Sequence, residues 1–256
     1  MSGLLKGRTG LIVGVANQNS IAWACAQALH AAGMELAFTY QGEMMKDRVL
    51  RTTAELGETP HFDLDVQSDE QIDAVMQAVR ERWGRLDFLL HSVAYAPKAA
   101  MANPFIETQR QDFLTSHDIS AYSLVALTRA AAPLMEQGGS IVTMTYYGSQ
   151  KAVPGYNVMG VAKAALEASV RYLAVDLGAR GIRINAVSAG AVNTLAARGV
   201  AHFRDLLKIT AERAPMKRPI DPEEVGKATL FLASDLSSGI TGEVMYVDTG
   251  FNITAG

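Results

Sequence analysis

A single doubly wound α/β domain, built on a seven-stranded parallel sheet with helices on both faces, is the fold this sequence predicts. Three observations carry it. Short β-rich apolar runs alternate with longer stretches of helical periodicity along all 256 residues, which is the pattern that parallel strands joined by crossover helices require. The strand candidates are almost continuously apolar, as strands covered on both faces are. No stretch has linker composition and no repeat is visible, so one domain spanning 1–256 suits a chain with 49% hydrophobic residues.

Residues 9–40, TGLIVGVANQNSIAWACAQALHAAGMELAFTY, read as strand, loop, helix and strand. Leu11–Val13 is the buried strand, Gly14 opens the turn, and Ser20 stands at the N-cap position before the periodic Ile21, Ala24, Ala28 and Leu29. The positive end of such a helix suits a dinucleotide's pyrophosphate. The loop is nevertheless not G-x-G-x-x-G, because no glycine follows Gly14 before Ser20. A helix over 43–56 leads to a short strand near 61–64 with Asp65 and Val66 at its end, and a helix over 69–83 leads to a strand over 86–90 running into His91 and Ser92. Residues 93–108 read as a loop and 109–135 as a helix, in which His117 is a packing histidine rather than a base. Strands follow at 141–144 and 182–187, and in the closing GEVMYVDTGF, with helical segments over 157–177, 196–213 and 223–234. Gly14, Tyr40 with Gln41, Asp65, Ser92, Tyr146 and Gly190 all fall at carboxyl ends of strands, where this architecture binds ligands.

The helix over 157–177 holds the chemistry. Tyr156 and Lys163 lie seven residues apart, nearly two turns, on roughly one face and about 10 Å apart along the axis. A carbonyl-reducing enzyme needs a proton-bearing group at the oxygen and a fixed cation, and a neighbouring ammonium is expected to make the phenol more acidic. A boundary aromatic and a solvated lysine would leave the same trace. Tyr147 and Lys151 also stand at a tyrosine–lysine spacing of four, but Gly148, Ser149 and Pro154 put them in a loop, where that spacing guarantees no common face.

Composition removes several function classes. A formal net charge of −3 without a basic run leaves no electrostatic footprint for nucleic acid. No apolar stretch reaches the roughly 18–20 residues that span a bilayer, and Met1–Arg8 lacks a signal peptide's apolar core, so a cytoplasmic protein is expected. Cys25 is the single cysteine, in an apolar helical pattern, and reads as a small buried hydrophobe; no metal site is expected.

With these residues in hand the chain resembles the short-chain dehydrogenase/reductases, Rossmann-type enzymes, and more narrowly the bacterial NADH-dependent enoyl-[acyl-carrier-protein] reductases. Ordinary members place a tyrosine four residues before the lysine and a serine thirteen before that; counting back from Lys163, those positions hold Met159 and Tyr146. The enoyl reductase branch has Tyr-x6-Lys, as in Tyr156 and Lys163, and G-x5-S-x-A, as in Gly14, Ser20 and Ala22. FTYQ (38–41), HSVAYAP (91–97), HDIS (117–120), YNVMGVAKA (156–164) and SAGAVNTLAA (188–197) are similar to family motifs.

The resemblance implies NADH-dependent reduction of the trans-2 double bond of enoyl thioesters, the last step of fatty acid elongation, on acyl carrier protein, by a homotetramer. It implies Tyr156, Lys163 and Tyr146 as catalytic residues, and Ala96, Tyr146, Tyr156 and Met159 around the acyl group. For the cofactor it implies Gly14, Ser20, Ile21, Gln41, Asp65, Val66, Ser92, Val93, Ala94, Lys163, Gly190, Val192, Asn193, Thr194, Leu195 and Ala196. Two departures stand out: Ala191 where the family has proline, and Asp-Thr-Gly at 248–250 for Asp-Gly-Gly. Residues 191–210 are expected to form a substrate lid. A carbonyl reductase of the same superfamily is the rival enzyme, disfavoured by Met159; a nucleotide-sensing or scaffold protein without turnover is the rival of another class.

Overall fold

Alternate residues of one strand feed two different cores, and that alternation explains the layers. The computed structural model describes residues 3–194 and 203–254. The strands are β1 (Thr9–Val13), β2 (Glu35–Tyr40), β3 (His61–Asp63), β4 (Phe88–His91), β5 (Gly139–Thr145), β6 (Ile182–Ala189) and β7 (Val244–Val247), all parallel in the order β3-β2-β1-β4-β5-β6-β7. The helices are α1 (Ile21–Ala31), α2 (Gly42–Thr53), α3 (Asp69–Trp83), α4 (Lys98–Ala102), α5 (Arg110–His117), α6 (Ser123–Ala131), α7 (Asn157–Gly178), α8 (Phe203–Arg213) and α9 (Pro222–Ala233). Leu11 and Val13 of β1, with Leu89 and Ile141, pack against α3, α6 and α7. Ile12, between them, joins Phe38, Leu90 and Val142 in a second core against α1, α2 and α9. The predicted doubly wound architecture is therefore present, with the strands inside the edge strand β3 contributing to both layers.

Strand order reverses between β1 and β4, so the crevice above their carboxyl ends is the topological switch point. Gly14 follows β1 there with φ 115°, and a Cβ on it would sit 2.2 Å from the Ser92 carbonyl oxygen beyond β4. Only glycine lets these two strand ends meet.

Two expectations are corrected. Residues 93–108 are not a plain loop: α4 and a 3₁₀ turn at Phe105–Glu107 lie within them. The helix read over 109–135 is interrupted between α5 and α6 by a π-helical turn, Asp118–Tyr122, which keeps the apolar pattern running while adding a residue to the turn. Of the helical segment expected over 196–213, α8 is seen, and 196–202 lie outside the described residues. In the Asp-Thr-Gly departure, Thr249 takes the left-handed backbone (φ 57°) that a glycine adopts freely, and its hydroxyl bonds the Asp248 and Arg218 carbonyls.

Candidate active site

The first βα turn is shaped by a serine that turns away from its helix. Ser20 stands at the N-cap of α1 as expected, yet its Oγ accepts from the Ala16 and Asn17 N–H groups of the loop, both at 3.0 Å. The N–H groups of Ile21 and Ala22 have no acceptor among the described residues. A loop folded by its own serine and a helix end with open donors is an anion cradle. Gln41 is the N-cap of α2, and the next N–H, from Gly42, donates to Asp63 Oδ1 at 2.8 Å. Asp63 was missed in the sequence, because nothing local ties the end of β3 to the start of α2. Asp65 accepts from the Gln67 N–H through Oδ1, and Val66 packs partly buried on the α3 side of the sheet.

Beyond β4 the Ser92 N–H donates to the Val13 carbonyl at 2.9 Å, and the chain continues through Val93 and Ala94 to Ala96, which packs on the Met159 cluster. The backbone at Tyr95 is clamped from the π turn: its N–H donates to Ser120 Oγ at 2.9 Å, and that hydroxyl donates to the Tyr95 carbonyl at 3.0 Å. His91 is fully buried, with Nδ1 2.8 Å from Thr143 Oγ1 and Nε2 2.8 Å from Ser123 Oγ. Burial, with Lys163 adding to it, pushes its pKa down to about 3.

Tyr146 leaves the end of β5 and meets Tyr156 edge to face, with ring centroids 4.9 Å apart. Tyr156 is the residue just before α7, so the predicted spacing along one helix face begins half a step outside the helix. Gly148 makes room for it: a Cβ there would come within 2.5 Å of the Tyr156 ring. Asn157, also in the left-handed region (φ 39°), donates through Nδ2 to the Met101 and Asn103 carbonyls at 3.0 and 2.8 Å, tying the head of α7 to α4. Met159 is buried with Met101, Ala100, Val158 and Ala162 in a small apolar cluster against which Ala96 and Tyr156 pack. Tyr147 and Lys151, as expected, stay in the turn, where Tyr147 packs edge-on to Phe251.

Lys163 is buried, and its Nζ donates to the Met144 carbonyl at 2.7 Å. Burial lowers its pKa to about 8, against an opposing influence from Glu167. The expected acidification of the phenol is not found: burial first, then Tyr146 and Glu167, push Tyr156 upward. The ammonium is committed to a backbone carbonyl, and the phenol sits in a site that disfavours its anion, so Tyr156 stays a protonated donor through neutral pH. Burial likewise raises Tyr146, to about 12, and its hydroxyl is buried with no partner among the described residues.

An orphaned hydroxyl beside a second phenol, a buried ammonium, the Gly14 approach and the open end of α1 together fit a bound dinucleotide with a polar reactant next to it. On the far side, Gly190, Ala191, Val192, Asn193 and Thr194 follow β6. Ala191, Val192 and Asn193 border an open cleft of about 630 Å³ together with Gln18, Asn19 and α8's Leu207 and Lys208. Leu195 and Ala196 lie outside the described residues.

Residues 14–252 match the family described as Enoyl-(Acyl carrier protein) reductase. An "Enoyl-[acyl-carrier-protein] reductase [NADH] 1" of Rhizobium meliloti is 52% identical, covering 98% of this chain and 92% of that protein. A Bacillus subtilis enoyl-[acyl-carrier-protein] reductase [NADH] is 47% identical over 98% of both. The Bacillus cereus enoyl-acyl carrier protein reductase, solved with NADP+ and an indole naphthyridinone, superposes with TM-score 0.98 at 45% identity over 100% of both chains. The Aquifex aeolicus enzyme does so with TM-score 0.96 at 47% identity, covering 99% of this chain and 100% of that one. Matched by the family model over residues 14–252 and about half identical to such relatives along nearly all of its length, this chain belongs to the enoyl-(acyl carrier protein) reductase family.

Proposed function

We propose that this protein is a cytoplasmic NADH-dependent enoyl-[acyl-carrier-protein] reductase of fatty acid biosynthesis, acting on the trans-2 double bond of enoyl thioesters. The observation that carries the reading is the Tyr146–Tyr156 ring pair, 4.9 Å apart over the apolar Met159 cluster, with buried Lys163 holding the Met144 carbonyl of the strand that leads to Tyr146. NADH, when bound, supplies the hydride that adds to the β-carbon. Tyr156 donates its O–H to the thioester oxygen as that oxygen becomes an enolate, and because burial keeps the phenol protonated it is ready to do so at neutral pH. Lys163, whose ammonium donates to the Met144 carbonyl, would hold the nicotinamide ribose hydroxyls when the cofactor is bound. Tyr146 places its unpartnered hydroxyl beside the acyl group, and Met159 and Ala96 form the apolar wall. The loop and helix end at Gly14, Ser20 and Ile21 hold the pyrophosphate, with Asp65, Val66, Ser92, Val93 and Ala94 along the adenosine and ribose. Gly190 and Val192–Thr194 take the nicotinamide side.

The test is a nicotinamide absorbance assay with enoyl and β-ketoacyl thioesters. Only the former should turn over; comparable turnover of a β-ketoacyl thioester would favour the carbonyl reductase reading. Tyr156→Phe should lower kcat by about 10²–10³-fold, and less if Tyr146 substitutes, while keeping NADH binding. Lys163→Met should weaken NADH binding. A fully active Tyr156→Phe beside a dead Tyr147→Phe would overturn the assignment.

The ribose end gives a second expected outcome. Asp63 holds the Gly42 N–H beside Gln41, and Lys46 is held 3.1 Å from Glu43 over the Tyr40 ring, so a 2′-phosphate would meet two carboxylates and no free cation from Lys46. NADH should be preferred about ten- to a hundredfold in kcat/KM; equal values for NADPH would show Lys46 or Arg48 reaching the phosphate. Two features complete the reading. Ala191–Asn193 and α8, bordering the cleft, belong to a lid over substrate. Exposed Leu114 of α5, with Tyr172 and Val175 of α7, lies on the surface by which the chain forms a homotetramer, a mass that light scattering would read.

A further inference from the structure

Glu167 takes no part in the reading above, yet it is a buried acid. It stands four residues after Lys163 on α7, one turn along the same face. Its Oε1 accepts from Thr145 Oγ1 at 2.7 Å and from Ser149 Oγ at 2.6 Å. Thr145 is the last residue of β5 and precedes Tyr146; Ser149 closes the 3₁₀ turn that follows it. Lys163 holds the Met144 carbonyl, one residue earlier. Ammonium and carboxylate therefore grip adjacent points of one strand end from a single helix.

We infer that Glu167 is a positioning residue for this site: its carboxylate keeps the buried Lys163 in its charged form and pins the strand end that presents Tyr146. An ammonium taken out of water reverts toward the amine unless an opposite charge shares the site. Glu167 is the group acting in that direction, opposing the burial that brings Lys163 down to about 8. The other titratable groups around the pair do not supply it. His91 from β4 is neutral, pushed down by burial first and by Lys163 in addition. Tyr156 at the head of α7 and Tyr246 on β7 are both raised, by burial first with Glu167 adding to it, and hence stay protonated. Asp248, beyond β7, acts on Tyr146 and Tyr246. A carboxylate serving only as a hydrogen-bond acceptor for two hydroxyls could be replaced by an amide oxygen; one that holds a charge could not.

The experiment follows the lysine itself, in the cofactor-free chain. With ¹³Cε-lysine and the resonance assigned by Lys163→Met, the wild-type midpoint should lie near 8, and Glu167→Gln should lower it by about one unit or more. An unchanged midpoint in folded Glu167→Gln would overturn the inference. Should that variant fail to fold, the wild-type Glu167 ¹³Cδ resonance decides: it should move as Lys163 loses its proton, and a flat resonance through that range would overturn the pairing. The functional consequence rests on the proposed role of Lys163. The alkaline loss of NADH affinity, followed by nicotinamide fluorescence, should begin at lower pH in Glu167→Gln. Were Lys163→Met to bind NADH as wild type does, that role would fail while the lysine midpoints still judge the inference.

Discussion

His91 shows how much a single residue's chemistry depends on distant partners. Ser123 Oγ donates to the Ile119 carbonyl at 2.6 Å, so it accepts from His91 Nε2–H, and Nδ1 accepts from Thr143. Both ring nitrogens are used by a neutral imidazole, and protonation would place two donors where one acceptor is needed. The unfolded chain titrates near 6.5 and the folded one near 3, so the unfolded state binds the extra proton between them. Stability from this group is complete above about pH 6.5 and is lost as pH falls toward 3, on the order of a few kcal/mol. Thermal midpoints of wild type and His91→Gln across this range check it: the acid-side slope should flatten in the variant, and parallel curves would sink the account. None of this was legible in the sequence, since Thr143 and Ser123 lie 52 and 32 positions away. Tyr156 and Lys163 were legible because one helix head joins them. The direction of the Tyr156 shift was not, because it depends on burial and on where the lysine's hydrogen bond goes.

Among elements, α7 and the turn before it were read nearly to their boundaries, yet their fit was hidden. Proline-free apolar spacing reveals a helix; it does not reveal that the Tyr156 ring lies against Gly148, or that a Cβ on Gly160 would come within 2.6 Å of the Gly148 carbonyl. Gly148→Ala must therefore displace the ring. It should lower enoyl-thioester turnover by about 10²-fold and destabilise by about 1–3 kcal/mol. NADH affinity should stay near wild type, and undiminished turnover would show that ring placement is not limiting. The π turn between α5 and α6 escaped for a related reason: an added residue in a helical turn leaves apolar periodicity almost intact, while re-aiming Ser120 and Ser123 toward the crevice.

At the scale of the molecule the doubly wound order was readable because buried parallel strands and amphipathic helices have different compositions, and alternation of the two leaves few topologies. The segment after β6, which we propose as a lid, was less readable, since its periodicity is weak. Proteolysis within 191–210 should slow when NADH and an inhibitor are bound, and unchanged cleavage would count against the lid. Cys25 makes a finer measurement practical. Its thiol is fully buried against Thr229 and pushed up to about 12, so the native chain should not react with a thiol reagent at neutral pH and should yield one equivalent when denatured. The wild-type sequence is in effect already a thiol-silent background. A cysteine placed at the exposed Lys208 of α8 would carry a fluorophore at one site without any preparatory substitution, and a signal that changes as each ligand is added would support the proposed lid.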